Sequence, residues 1–412
     1  MQRTDTVIIG AGQCGLAMSH ELSRRSIDHV VIERGRIGNS WLTGRWDSLR
    51  LLTPNWLNGL FGPVPGDPDG YMSAADFAST LAGAAAEISA PVMETTRVTS
   101  VRHGGDGYVV RTEQGTLSCA SLVLATGACA LPRVPAFASG LPKSVTQLTA
   151  LSYRNPAQLP DGSAVLVVGA SASGLQIARE LALSGHRVTL AVGQHTRLPR
   201  VHRGADILTW MHLVGVLDTP FTRLDDLERM RRQPSLALLG DPDRVDLDLN
   251  TLQALGVEIA GRLVAVTEGR AWFSGSLANL CASSDLKMRR LLDRIDAWIG
   301  ARGLQALVDP PEDIAPTRIP DDPILSLDLR ARGIAAVIWA TGYTPDHSFV
   351  DLPVFDRKGR IRHHGGRVGN GLYVMGLPYL RTARSSHVSG ARRDARAIAR
   401  DLIARPGWRA AA

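Results

Sequence analysis

The sequence predicts an α/β protein built from two Rossmann-like dinucleotide-binding domains, the second inserted in the first. Two observations carry this. VIIGAGQCGLAMSHEL at 7–22 and VLVVGASASGLQIARE at 165–180 each run from a β-branched strand through a glycine-rich turn into a helix-like segment. Two further apolar strands, SLVLATG at 121–127 and AVIWATGY at 336–343, stop at Thr-Gly, as a buried strand does on reaching a ligand at the carboxyl edge of a sheet.

In the first turn, Gly10 permits the sharp bend, Gly12 lets backbone approach a pyrophosphate, and Gly15 lets the helix close on the strand. HVVIE at 29–33 then forms a second strand ending in Glu33, 23 residues beyond Gly10 and suited to accepting both hydroxyls of an adenosine ribose.

The second turn repeats the layout: a strand at 164–168, then Gly169, Ser171, Ser173 and Gly174, a helix-like segment, and the strand RVTLAV at 187–192. Serine stands where the middle glycine would be. It adds only a small side chain, whose hydroxyl can itself bond a phosphate oxygen. The same count of 23 residues ends on Val192 rather than on an acid, so a 2′-phosphate would meet no repulsion. HTRLPR at 195–200 brings Arg197 and Arg200 nearby as its cations, unless both simply face solvent. A phosphorylated nicotinamide is therefore expected here.

The motif order places a first nucleotide domain at 1–157, an inserted one at 158–322 and the completion of the first at 323–412. YRNPAQLPDG at 153–162 and VDPPEDIAPTRIPDDP at 308–323 are expected to be the crossings between them.

Composition narrows the class. With 44% hydrophobic residues and no uncharged apolar run near the roughly 18 to 20 residues of a membrane span, a cytoplasmic protein without membrane contact is expected. A strand begins within a few residues of the start, which leaves no room for a signal segment. The net charge of +7 is scattered, without an aromatic-basic stripe, which argues against nucleic acid as a partner. Four cysteines form no C-x-x-C pair and no zinc spacing with the histidines, so neither the usual redox-active disulfide nor a metal is expected.

Together these motifs resemble the class B flavin-containing monooxygenases, flavoproteins with one domain for FAD and one for NADPH. The resemblance rests also on GNSWLTGRWDSLRLLTP at 38–54, similar to the family's G-x-x-W segment followed by an aromatic, Asp and L-x-L-x-x-P, on LPR at 198–200 and on GLYVMGLP at 371–378. It implies that Gly10, Gly12, Gly15 and Glu33 hold the FAD adenosine and pyrophosphate. Trp41, Trp46 and Thr53 would lie along the flavin, with Gly376 and Leu377 near its far end; core packing is the other reading of the tryptophans. NADPH would dock on Gly169, Ser171, Ser173, Gly174, Arg197 and Arg200, while Thr126, Gly127, Thr341 and Gly342 close the two strand ends on the cofactors. Asn55 is the candidate catalytic side chain beside the flavin, or else a residue that turns the chain after Pro54.

The implied activity is the transfer of one oxygen atom from O2, through a flavin C4a-hydroperoxide, to a small molecule: an amine or sulfur centre, or a keto acid or ketone. The alternative is a reductase or dehydrogenase passing electrons to a small acceptor or partner protein. One departure bears on the branch. The family's F-x-G-x-x-x-H-x-x-x-[YW] linker is longer here, with Phe137, Gly140 and Tyr153 kept but Thr149 in place of its histidine. Scaffolds of this kind often pair as homodimers.

Overall fold

A computed structural model describes residues 2–105 and 107–405. Among them the strands build one sheet of eight and one of five, with shorter ribbons beside them. In the first, Gln2–Ile9 is central and pairs in parallel with His29–Ile32 on one side and Gly115–Leu124 on the other. Val92–Met93 and Leu372–Val374 extend this parallel core at its two edges. The helix Gln13–Ser23 and the C-terminal helix Val388–Ile403 share its core, which joins Leu16, Met18 and Leu22 to Ala391, Ala395 and Ile398.

The second sheet is parallel throughout, in the order Glu258–Ala260, Arg187–Ala191, Ala164–Val168, Ile334–Trp339, Thr146–Thr149. Ala164–Val168 is buried at every residue, because side chains cover both faces. Val165 and Val167 meet Leu175, Ile177 and Leu181 on one face, and Leu166 and Val168 meet Val337, Trp339 and Phe273 on the other.

This sheet cuts across the boundaries expected at 158 and 322. The strands Thr146–Thr149 and Ile334–Trp339 both belong to it, so the second Thr-Gly strand stays beside the second turn. Pairing with Ala164–Val168 buries its apolar run in the second core, and the first sheet is completed instead by Leu372–Val374. Both sheets therefore share one plan: an added strand, the Thr-Gly strand, the turn strand, and the strand after the turn's helix.

The crossings also lie elsewhere than in the proline-rich stretches. Leu131–Pro132 pairs antiparallel with Tyr343–Thr344, and the Arg133 N–H donates to the Gly342 carbonyl at 2.9 Å. Of the expected crossings, 153–162 is anchored within the second core by buried Tyr153, whose hydroxyl donates to Glu180 at 2.7 Å. The other runs as irregular chain and is tied down where Thr317 donates twice to Asp285, each at 2.8 Å. Among the described residues, no helix is long and apolar enough to cross a membrane.

Candidate functional site

At the first turn the three glycines do different work. Gly10 has φ +108°, and a β-carbon there would stand 2.6 Å from the Ala125 carbonyl oxygen, where the Thr-Gly strand closes on the bend. A β-carbon on Gly15 would stand 1.8 Å from the Gly10 carbonyl oxygen, so only glycine lets the helix seat on its strand. At Gly12 a β-carbon would meet nothing within 4 Å. The missing side chain there keeps space open in front of a helix that begins without a side-chain cap, with its first N–H groups aimed outward.

Glu33 is held at the rim of this space. One carboxylate oxygen accepts the Ala11 N–H at 2.9 Å and the other the Gly35 N–H at 3.0 Å, which leaves each oxygen a lone pair for a ribose hydroxyl. Thr126 Oγ1 is buried without a hydrogen-bond partner among the described residues. Gly376 approaches from the C-terminal side: its β-carbon position is 3.1 Å from Cys14 Sγ and 3.8 Å from Gly127 Cα. Leu377, half-buried, packs on the first core. Gly10, Gly12, Gly15, Glu33, Thr126, Gly127 and Gly376 thus converge on one sheet edge. The open space at Gly12 and the unpartnered Thr126 hydroxyl fit a bound dinucleotide.

The segment 41–55 is less uniform. Trp41 is half-buried, its ring edge-on to Phe77 at 4.9 Å with the Arg45 guanidinium 5.0 Å above it. Trp46 does not lie along an open surface as expected: its indole is buried in the core of the second sheet with Tyr153, Ala170 and Leu175. Thr53 donates its hydroxyl proton to Asn58 Oδ1 at 2.5 Å. Asn55 Nδ2 donates to the Asp67 carbonyl at 2.9 Å, while its Oδ1 is buried without a partner among the described residues.

The second turn repeats the first. Gly169 has φ +114° and its β-carbon position is 2.4 Å from the Ala340 carbonyl oxygen, while that of Gly174 is 1.8 Å from the Gly169 carbonyl oxygen. Ser171 begins the helix Ala172–Leu183 without capping it. The Ser171 hydroxyl reaches the Ser235 carbonyl at 3.4 Å, and Thr196 Oγ1 donates to the same carbonyl at 2.9 Å. Gln176 Nε2 donates to the Leu238 carbonyl at 2.6 Å, so the irregular stretch 233–240 runs as a strap beside the turn. Ser173 Oγ lies 3.3 Å from the Tyr343 hydroxyl, Thr341 Oγ1 donates to the Arg133 carbonyl, and Gly342, at φ +97°, has open space at its β-carbon position.

Arg197 and Arg200 are not available as phosphate ligands. Arg197 is buried, with Nε donating to Asp248 and Nη1 to Asp285, each at 2.8 Å. Burial alone would lower its pKa, but the two carboxylates outweigh it and raise it. Arg200 is fully enclosed: it donates to the Leu52 carbonyl at 2.8 Å and to the Tyr71 hydroxyl at 3.1 Å, and is paired with Asp206. Each of these cations answers a buried acid instead of facing the turn.

Comparison with known proteins gives a consistent picture. The family model for pyridine nucleotide-disulphide oxidoreductase matches residues 7–205. An uncharacterized CzcO-like oxidoreductase of Geobacillus kaustophilus is 30% identical over 404 residues, covering 97% of this chain and 98% of its own length. The chain belongs to this family of CzcO-like oxidoreductases. An indole-3-pyruvate monooxygenase of Oryza sativa subsp. japonica is 26% identical over 406 residues, with 90% of this chain and 85% of that one covered. A flavin-containing monooxygenase from Stenotrophomonas maltophilia shares the fold from end to end, with a TM-score of 0.68 at 19% identity over 98% of this chain and 99% of that one.

In this oxidoreductase the cysteines are free, and two are placed near the sites. Cys14 is buried on the first helix, its thiol pushed up to about 12 by burial and then by Asp394, which keeps it protonated and inert. Cys129 is exposed two residues beyond the first Thr-Gly strand end, with the Arg45 guanidinium acting on it. Desolvation raises its pKa and Arg45 opposes the rise. The same guanidinium acts on Tyr343, so Arg45, Cys129, Tyr343 and Ser173 form a cluster between the two nucleotide sites. Motif reading missed this group. Its signal was positional, because Cys129 and Tyr343 follow the two Thr-Gly strand ends within two residues.

Proposed function

We propose that this chain is an FAD-dependent, NADPH-using monooxygenase that places one oxygen atom from O2 into a small organic substrate. The observation that carries the reading is the pair of turns built to one plan, of which the first ends in the anchored carboxylate Glu33 and the second in Val192. Glu33 would fix the FAD ribose, the N–H groups beyond Gly12 its pyrophosphate, and Thr126 Oγ1 a polar atom of the same cofactor. FAD, once bound, supplies the redox centre at which O2 is activated.

NADPH would lie along Gly169, Ser171 and Gly174. The preference for a 2′-phosphate rests on the missing acid at Val192 and not on Arg197 or Arg200, which are engaged elsewhere. Tyr343, Ser173 and Arg45 stand between the two sites, where they can orient the nicotinamide and exclude water. Asn55 Oδ1, without a partner among the described residues, is an acceptor able to orient a donor on the flavin or the substrate. Likeness to an indole-3-pyruvate monooxygenase supports keeping α-keto acids among the candidate substrates, beside amines and sulfides.

The test is oxygen uptake by the purified full chain with NADPH and a panel of amines, sulfides, indolic keto acids and ketones. Uptake matched by oxygenated product is expected. NADPH oxidation that proceeds only with an artificial acceptor under argon, with no oxygenated product in air, would overturn the proposal in favour of a reductase.

A further inference from the structure

The back of the first domain, away from both turns, carries an unbalanced cluster of cations. A depression of about 440 Å³ is lined by Glu21, Arg24 and Arg25 at the end of the first helix and by Arg396 and Arg400 of the C-terminal helix. Glu21 is fully buried beneath the arginines. One of its oxygens lies 2.6 Å from Arg25, and the other is 3.9 Å from Arg24 and 3.7 Å from Arg396, without a hydrogen bond to either. A single carboxylate therefore faces three guanidinium groups, and Arg400 adds a fourth cation to the lining.

Among the described residues, the lining of the depression supplies no second counter-charge. The Arg400 side chain is exposed, with neither an ion pair nor a hydrogen bond among the described residues. It sits four residues beyond Arg396 on the same helix face, a spacing at which like charges repel. Arg24 and Arg396 leave about half of their side chains in solvent, so their remaining donors are free among the described residues. Guanidinium forks match phosphoryl oxygens two at a time, and the lining contains no apolar or aromatic wall to hold a base or a ring.

We propose that this depression binds a compact polyphosphoryl anion, with Arg24, Arg25, Arg396 and Arg400 as its ligands and Glu21 as the buried post that spaces them. The site is independent of the two dinucleotide turns and of the reaction they serve. Its chemistry is that of a diphosphate, which a free anion or a phosphorylated lipid headgroup can present.

The test is calorimetric titration of the full chain with inorganic pyrophosphate, comparing the natural sequence with the double variant Arg396→Gln, Arg400→Gln and with Arg360→Gln as a control outside the depression. One saturable site is expected, weakened on the order of tenfold or more in the double variant and unchanged in the control, since each lost charge-assisted hydrogen bond contributes at that scale. Sedimentation with phosphatidylglycerol vesicles separates the sources. Pyrophosphate binding without vesicle binding assigns the site to a free anion, and vesicle binding lost in the double variant assigns it to a headgroup. No saturable pyrophosphate binding, or binding that the double variant leaves unchanged, overturns the proposal.

Discussion

Gly174 lies so close to Gly169 that a β-carbon on it would stand 1.8 Å from the Gly169 carbonyl oxygen, the same separation that joins Gly15 to Gly10. The obstacle is backbone in both turns, so no side chain can yield and the helix itself must move. Overpacking of this kind costs roughly 1–3 kcal/mol and displaces the N–H groups that face the ligand. Gly15→Ala should lose most of its bound flavin. Gly174→Ala should keep stoichiometric flavin and bind NADPH on the order of tenfold more weakly. Flavin absorbance per chain and NADPH titration read the two outcomes, and flavin loss from Gly174→Ala would mean the turns are assigned the wrong way round.

Ser171→Asp separates stability from binding at the same turn. Ser171 starts its helix without a side-chain cap, so an aspartate there can accept the orphan N–H groups and add about 1 kcal/mol to stability. The same carboxylate would repel a pyrophosphate, weakening NADPH by a factor on the order of ten. The expected result is an equal or higher melting temperature with a raised NADPH Kd and intact flavin content. A lowered melting temperature with an unchanged Kd would contradict it.

The turns, Glu33 and the Thr-Gly strand ends were legible in the sequence because each depends on residues close together in the chain. The sheet to which the second Thr-Gly strand belongs was not. Its pairing joins Ile334 to Ala164, and an apolar run fits the interior of either parallel sheet equally well. Arg197 and Arg200 misled for a related reason: the Arg197 partners Asp248 and Asp285 come from remote segments, Arg200 is enclosed by the remote Tyr71 hydroxyl and Leu52 carbonyl beside its near neighbour Asp206, and local charge spacing says nothing about such burial. Trp46 likewise sits in a motif read for one domain while its ring fills the core of the other.

The Arg197 ion pairs give a third prediction. Arg197→Ala would leave the Asp248 and Asp285 carboxylates buried without their cation, a loss that typically costs 3–5 kcal/mol. Urea unfolding should show that loss. The ratio of NADPH to NADH oxidation in the remaining folded protein should stay as it was, because the guanidinium never reaches the nucleotide. A variant of normal stability with a fallen NADPH to NADH ratio would return Arg197 to the 2′-phosphate.

Asp394 contributes a separable part of the dependence of stability on pH. It is buried in the C-terminal helix with Oδ2 unpartnered among the described residues, and burial pushes its carboxyl up to about 6 from 3.8. The folded state therefore holds a proton that the unfolded chain has released. Stability is lost as pH rises from about 4 to about 6, and the loss persists above that range. His347, His363 and His387 act in the opposite sense, since burial pushes each down to about 4 and the unfolded chain binds their protons first as pH falls below 6.5. Between pH 4 and 6 Asp394 thus opposes the histidine proton uptake that favours unfolding. Asp394→Asn should raise stability by roughly 1–3 kcal/mol at pH 7.5, leave it unchanged near pH 3.5, and steepen the fall between pH 6 and 4. Urea unfolding across pH 3.5–8 measures all three. An advantage that is the same at every pH would show that the substitution acts through packing and not through the proton.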